Sequence, residues 1–206
     1  MAISAVPILP VKTISGNQFE ATRIIEELSQ TFQQGTPVQV TVADGGIKAW
    51  DGTTPITSAH LIAGISYEAA HNYSATGLGA PLPYQPVVGV GASVTFGSVQ
   101  NQSSAVNIPM GAPFADGRMG FFQGNPDTIF SATFGNNGNA ATPLATDVGL
   151  QYGLTIDSNS KFWYVDKNKT GTGAVVNVVG LDPRYTPAAG TNVLFTFIQA
   201  DISTPA

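Results

Sequence analysis

Cysteine is absent from the 206 residues, which excludes a disulfide framework, a zinc–thiolate site and a thiol nucleophile. Charge is scarce too: Asp, Glu, Lys and Arg make up 10% of the chain, against about 25% in an average soluble domain. Soluble monomers ordinarily cover their surface with these residues. The shortfall therefore predicts a surface of uncharged polar groups or one hidden by partners, and the chain reads as a subunit of an assembly. Basic residues number eight, scattered from Lys12 to Arg184, against thirteen acidic ones, for a net charge of −5. Phosphate neutralisation needs a clustered basic face, so nucleic acid is not an expected partner. The two histidines, His60 and His71, are too few for a histidine-rich metal site without carboxylate help. The N-terminal run "MAISAVPILPVKTISGN" has no basic segment, is broken by Pro7 and Pro10 and is too short to span a bilayer, so neither a signal peptide nor a membrane anchor is expected. The sequons at Asn72, Asn101 and Asn168 accordingly carry no expectation of glycosylation.

Glycine and proline are plentiful, 23 and 14, and together with a period of two they predict a mainly β protein, an antiparallel barrel or sandwich with long loops. Val38, Val40 and Val42 alternate, as do Val88 to Phe96, Val106 to Met110, Leu150 to Ile156, and Val193, Phe195 and Phe197. Half-buried strands read this way. Residues 1–16 form an extended arm, because Pro7 and Pro10 exclude a helix. Its apolar residues suit either the chain's own sheet or a neighbour. One amphipathic helix is expected over Asn17 to Gln34. Asn17 and Glu20 suggest a capping box, Ala21, Ile24, Ile25, Leu28 and Phe32 an apolar stripe, and Gly35 a stop. Residues 17–206 then form a β-rich domain with a loop-rich middle at 67–146. A faint internal echo runs through 38–65 and 150–181, where Trp50 and Trp163 precede strands ending in Gly64-Ile65 and Gly180-Leu181.

Chemistry is harder to find. "DKNKTG" from Asp166 opens like a calcium loop, but position twelve, where a bidentate carboxylate belongs, is Asn177, and the flanks alternate like strands. A polar hairpin tip between strands at Phe162–Val165 and Val175–Val179 is the reading preferred. There is no Gly-x-Ser-x-Gly elbow, and Gly89-Val90-Gly91 lacks the third glycine and the strand-to-helix turn of a dinucleotide site. "PFADGRMGFF", with Asp116 and Arg118, reads as a turn entering an aromatic strand. No metal, cofactor or catalytic residue is assigned.

The run "DVGLQYGLTIDSNSKFWYVDKNKTGTGAVVNVVGLDPRYTPAAGTNVLFTFIQ" resembles the closing β-barrel of the head-decoration (cement) proteins of tailed bacteriophages, and "VQVTVADGGIKAWDGTTPITSAHLIAGISYEAA" is similar to their barrel-forming part nearer the N-terminus. The likeness covers about half the chain and lies in pattern, a Gly-Leu-Asp before a Gly/Pro turn and a final aromatic strand. It implies a non-enzymatic virion protein, made in the host cytoplasm. Such a protein sits on the outer capsid surface, commonly as a homotrimer, and clamps neighbouring copies of the major capsid protein. Ile3, Val6, Ile8 and Leu9 are the expected capsid contacts. A second reading is a carbohydrate-binding or adhesive β-sandwich of a phage fibre or surface protein, with Trp50, Trp163, Tyr164 or Tyr185 as stacking platforms. Exposed aromatics would favour it and buried ones would not. A glycosidase, needing two carboxylates across a cleft, is the third.

Overall fold

The computed structural model describes residues 1–27, 30–40, 46–52, 61–70, 73–74, 77–78 and 118–198. The fold is mainly β. Among the described residues there is no α-helix, only two 3-10 turns at Ala145–Asp147 and Gly171–Gly173. The strands are β1 (Leu9–Thr13), β2 (Ala21–Ile25), β3 (Pro37–Val40), β4 (Ile47–Ala49), β5 (Ile62–Ser66), β6 (Tyr73–Ser74), β7 (Gly77–Leu78), β8 (Arg118–Gln123), β9 (Thr128–Asn136), β10 (Asn139–Ala140), β11 (Gln151–Ile156), β12 (Trp163–Asp166), β13 (Val176–Leu181) and β14 (Asn192–Phe197).

The helix expected over Asn17 to Gln34 is replaced by β2, which pairs antiparallel with β8 from Ala21↔Phe122 to Ile25↔Arg118. Thr22, Ile24 and Ile25 are β-branched and stiff at χ1, so they favour an extended backbone wherever a partner strand is offered. Of the would-be capping residues, Asn17 joins the turn at Gly16 and Glu20 serves the strand. The Glu20 carbonyl accepts from the Gln123 amide at 2.9 Å, and the Glu20 carboxylate accepts from the Asn125 side chain at 3.1 Å. Gly35, expected as a helix stop, keeps a left-handed φ of +80 for another reason. A Cβ there would lie 2.7 Å from the Ile8 nitrogen, so the chain passes at backbone contact with the arm. Leu28 lies outside the described residues. The expected loop-rich stretch 67–146 contains β8, β9 and β10. The alternating runs at 88–96 and 106–110, both histidines and Asp116 lie outside the described residues.

Five strands close a barrel in the second half: β9 pairs parallel with β12, then β12–β11, β11–β13, β13–β14 and β14–β9 pair antiparallel. The expected hairpin between β12 and β13 is not formed, because β11 lies between them and pairs with both. The 3-10 turn at Gly171–Gly173 carries the chain over β11's end: the Gly153 amide donates to the Lys169 carbonyl at 2.8 Å and Val175 to Tyr152 at 2.9 Å. Both faces of β14 are buried, so its period of two separates the barrel interior from a second packed surface.

The first half repeats this plan. β2–β8, β8–β5, β5–β3 and β3–β4 pair antiparallel, and the ring closes where Glu26 bridges Ile47 in parallel, the Glu27 amide donating to the Ile47 carbonyl at 2.9 Å. Taken in chain order, β2, β3, β4, β5 and β8 thus connect as β9, β11, β12, β13 and β14 do. The register agrees as well. The connections 41–46 and 157–162 are equally long, which places Pro37–Val40 on Gly153–Ile156. The Ser66 to Thr36 bond then falls on Val176↔Tyr152, Ser66↔Phe121 on Val176↔Phe197, and Ile24↔Met119 on Phe130↔Phe195. Glu26↔Ile47 falls in step with Phe134↔Val165, two residues further along both strands. Equal stagger around both rings is what fixes barrel shape, so the sequence echo marks two barrels of one design. Its alignment differs from the one expected, since Trp50 takes the place of Asp166 and Ile47 that of Trp163.

One apolar cluster joins the two barrels. Ile62, Ile65 and Trp50 of the first pack with Phe130, Phe134, Tyr152, Leu154, Trp163, Phe195 and Phe197 of the second. The Trp50 and Trp163 rings lie 5.4 Å apart across this junction. A smaller cluster of Val38, Ile47, Ala63, Met119 and Phe121 fills the first barrel's interior.

Candidate functional site

The N-terminal arm belongs to the chain's own sheet. It runs along β10 and then β9: Ala140 of β10 donates to the Met1 carbonyl at 3.0 Å, Ile3 to Gly138 of the β9–β10 turn at 3.1 Å, Val6 to the Thr133 hydroxyl of β9 at 3.2 Å, and β1 then pairs antiparallel with β9 from Leu9↔Ser131 to Thr13↔Thr128. Prolines are tolerated here because an edge strand leaves alternate amides without a ladder partner. Of the four expected contact residues, Ile3 and Ile8 are buried in the chain's own core, while Val6 and Leu9 are 42% and 43% exposed. Alternation places Ile3 and Ala5 inward and Val6 outward, and its phase shifts at Pro7, so that Ile8 turns in and Leu9 out. Ile14, 67% exposed, continues the outward apolar face.

The groove under the arm is closely shaped. A Cβ at Gly135 would sit 2.5 Å from the tip of Ile3 and 2.8 Å from the Tyr164 ring, so only glycine leaves room for both. Ile3, Ala5 and Tyr164 form a separate buried cluster. The buried Asp157 carboxylate accepts from the Ser160 hydroxyl at 2.6 Å and from the amides of Asn159 and Ser160 at 3.1 Å. Burial opposes ionisation of Asp157, yet donors from Ser160, Asn159 and Ala5 outweigh it and hold the carboxyl below the usual range.

The Asp166 stretch organises turns. Its carboxylate accepts from the amides of Asn137 at 2.9 Å and Asn168 at 3.0 Å and from the Thr155 hydroxyl at 3.0 Å. These bonds tie the β9–β10 turn to the end of β12. Lys167 turns away to meet Asp147 at 2.8 Å, and Lys169 donates to the Leu154 carbonyl at 3.0 Å. Among the described residues no three His, Cys, Asp or Glu side chains converge on a possible metal position.

Two buried carboxylates beyond those singled out in the sequence hold the outer loops. Asp147 accepts from the Leu144 amide, the Tyr152 hydroxyl and Lys167, each at 2.8 Å. Above it, Leu144, Val148 and Leu150 point outward. Burial would raise the Asp147 pKa, but these donors together leave it below the ordinary value; the same contact and burial push Tyr152 upward. Asp182 is gripped by Arg184 and accepts from the Ser131 hydroxyl at 2.7 Å, which in turn accepts from Asn192 at 3.0 Å. Arg184, chiefly, and Ser131 lower its pKa to about 2 against the cost of burial. A carboxyl more acidic folded than unfolded stabilises the fold above about pH 4 and loses that contribution as pH falls toward 2. Asp182→Asn is therefore expected to cost about 2 kcal/mol at pH 7, with the gap to the parent closing as pH approaches 2. Urea titrations at both ends of this range check it, and an undiminished gap at low pH would count against the assignment.

Of the four aromatic residues considered as sugar platforms, Trp50, Trp163 and Tyr164 are buried, while Tyr185 is exposed, with the Arg184 guanidinium 5.8 Å from its ring centre. The described surface also has an open cleft of about 400 Å³ lined by Lys12, Thr13, Gly16, Asn17, Gln18, Phe19 and Phe122. It lies where the arm turns back toward β2. Among known proteins, no family model, curated protein or solved structure matches this chain.

Proposed function

We propose that this chain is a non-catalytic structural subunit of a phage virion. In this reading it docks as a homo-oligomer, a trimer by preference, on the outer face of the capsid and clamps neighbouring major capsid subunits. The observation that carries this reading is the arm's outer face, where Val6, Leu9 and Ile14 stand exposed on a backbone pinned to β9. A rigid edge strand with apolar residues outward is preorganised for contact, so little conformational entropy is lost on docking. Scarce charge and a negative balance suit an outer surface remote from packed nucleic acid. Stabilisation would follow from linkage, since a ligand of the assembled shell alone shifts the equilibrium toward it.

Two of the outward arm residues, Val6 and Leu9, supply the test. Val6→Asp with Leu9→Asp leaves Ile3 and Ile8 in place and is expected to weaken binding to purified capsids at least tenfold without lowering the unfolding midpoint. Undiminished co-sedimentation of the doubly substituted protein with capsids would overturn the assignment of this face.

A further inference from the structure

We infer that the arm is an exchangeable strand: residues 1–15 of one copy can occupy the β9 groove of a second copy, linking protomers through a composite second barrel. The inference rests on the assembly reading above only in supposing that copies meet; it does not require a capsid. The groove belongs to the second barrel, whereas the arm precedes the first. Docking is therefore not imposed by local chain direction, and any copy's arm fits by identity of sequence. The acceptor is specific in backbone and side chain, with the ladder to Ser131 and Thr128 at one end, the Gly135 slot for Ile3 at the other, and the Thr133 hydroxyl receiving the Val6 amide between them. Pro7 and Pro10 keep a released arm extended, which reduces the entropy lost when it docks again.

The hinge is equally defined. Ser15 is the last arm residue held by the second barrel, its amide donating to Asp127 at 2.8 Å. The chain then reverses at Gly16, whose φ is +78 and beside which a Cβ would meet nothing within 4 Å. The reversal is held by two local bonds, the Thr13 hydroxyl to the Asn17 carbonyl at 2.6 Å and the Asn17 amide to the Ser15 hydroxyl at 3.4 Å. Beneath it lies the open cleft rather than packed core. Straightening this turn carries the arm away from its own groove, while every arm–groove contact is regained on a neighbour. Exchange of this kind is a low-cost route to oligomers and depends on concentration.

Because the chain has no cysteine, exchange can be read by cross-linking. Ala2 and Asn139 are exposed and face each other in an antiparallel bridge. The bonds Ile3 to Gly138 and Ala140 to Met1 flank that bridge, the non-hydrogen-bonded arrangement that brings Cα atoms to about 4.5 Å, within disulfide reach. Ala2→Cys and Asn139→Cys proteins carrying different tags are coexpressed and oxidised. A covalent heterodimer on non-reducing gels, at least fivefold above Ala2→Cys self-pairing, is expected. Adding Gly16→Val to both chains, which disfavours positive φ without a clash, is expected to raise its yield several-fold. Heterodimer no more abundant than self-pairing would overturn the inference. So would a double-cysteine chain that closes only within itself, with no heterodimer from the mixed pair. Loss of capsid binding with the heterodimer intact would refute the virion reading alone.

Discussion

Phe130→Ala is expected to lower the unfolding free energy by about 3–5 kcal/mol, the cost of a large void in a packed core. The ring is fully buried, stacked on Phe195 at 5.7 Å and edge-on to Phe197 at 5.5 Å. Its backbone is paired on both sides, with Pro10 of the arm and Phe195 of β14. Three neighbouring strands of one sheet are thus laddered at this residue, and none can shift to fill the space without breaking a ladder. Because the cluster containing Phe130 also includes Ile62 and Ile65 of the first barrel, the loss is expected to move one common transition. Tryptophan emission, which reports both barrels through Trp50 and Trp163, and far-ultraviolet circular dichroism should shift together in urea. Separate midpoints, with only one displaced, would show that the barrels unfold independently.

A second large effect comes from adding an atom. At Gly64 a Cβ would overlap the carbonyl oxygen of Phe122. That oxygen belongs to β8, fixed by Gly64↔Gln123 and Ile65↔Phe122 on one side and Ala21↔Phe122 on the other. Gly64→Ala is accordingly expected to cost about 3 kcal/mol, at the upper end for overpacking, because backbone rather than a flexible side chain must move. Gly180→Ala is the control. There a Cβ makes ordinary contact with Leu194 at 3.8 Å, and a change within about 0.5 kcal/mol is expected. Equal midpoints for the two variants in chemical denaturation would refute the close approach of β5 and β8.

The β class was legible because alternation at Leu150–Ile156 and Val193–Phe197 is a local property of an extended chain, and both runs contain strands; the half-burial it implies was not kept, since Leu150 and Ile156 are exposed and β14 is buried on both faces. The arm was legible for a similar reason, as Pro7 and Pro10 leave few alternatives to an extended chain. What misled was Ala21–Ile25. Apolar residues three and four apart satisfy a helical stripe, yet the deciding partner, β8, lies about a hundred positions later and supplies no local signal. The same distance hid Asp182, whose partner Ser131 is on β9; only the Gly-Leu-Asp pattern hinted at it. The internal echo was visible through its tryptophans, but they were misaligned, since register rather than residue identity defines equivalence between barrels. Half of the expected contact set proved interior because alternation along the arm changes phase at Pro7, a shift the sequence does not announce: Ile3 and Ile8 face inward on either side of it, Val6 and Leu9 outward.

The unequal returns between the last two strands of each barrel carry a practical meaning. From β13 to β14 the chain needs only residues 182–191, whereas from β5 to β8 it takes 67–117, yet in both the departing and arriving strands are side by side. Ser66 opposite Phe121 is thus a doorway, its posts set in the barrel and braced just beyond by Tyr67 and Glu68 on Gly120. Foreign polypeptides with closely spaced ends could be grafted through that opening, making the molecule a carrier whose load can be changed while its frame is kept.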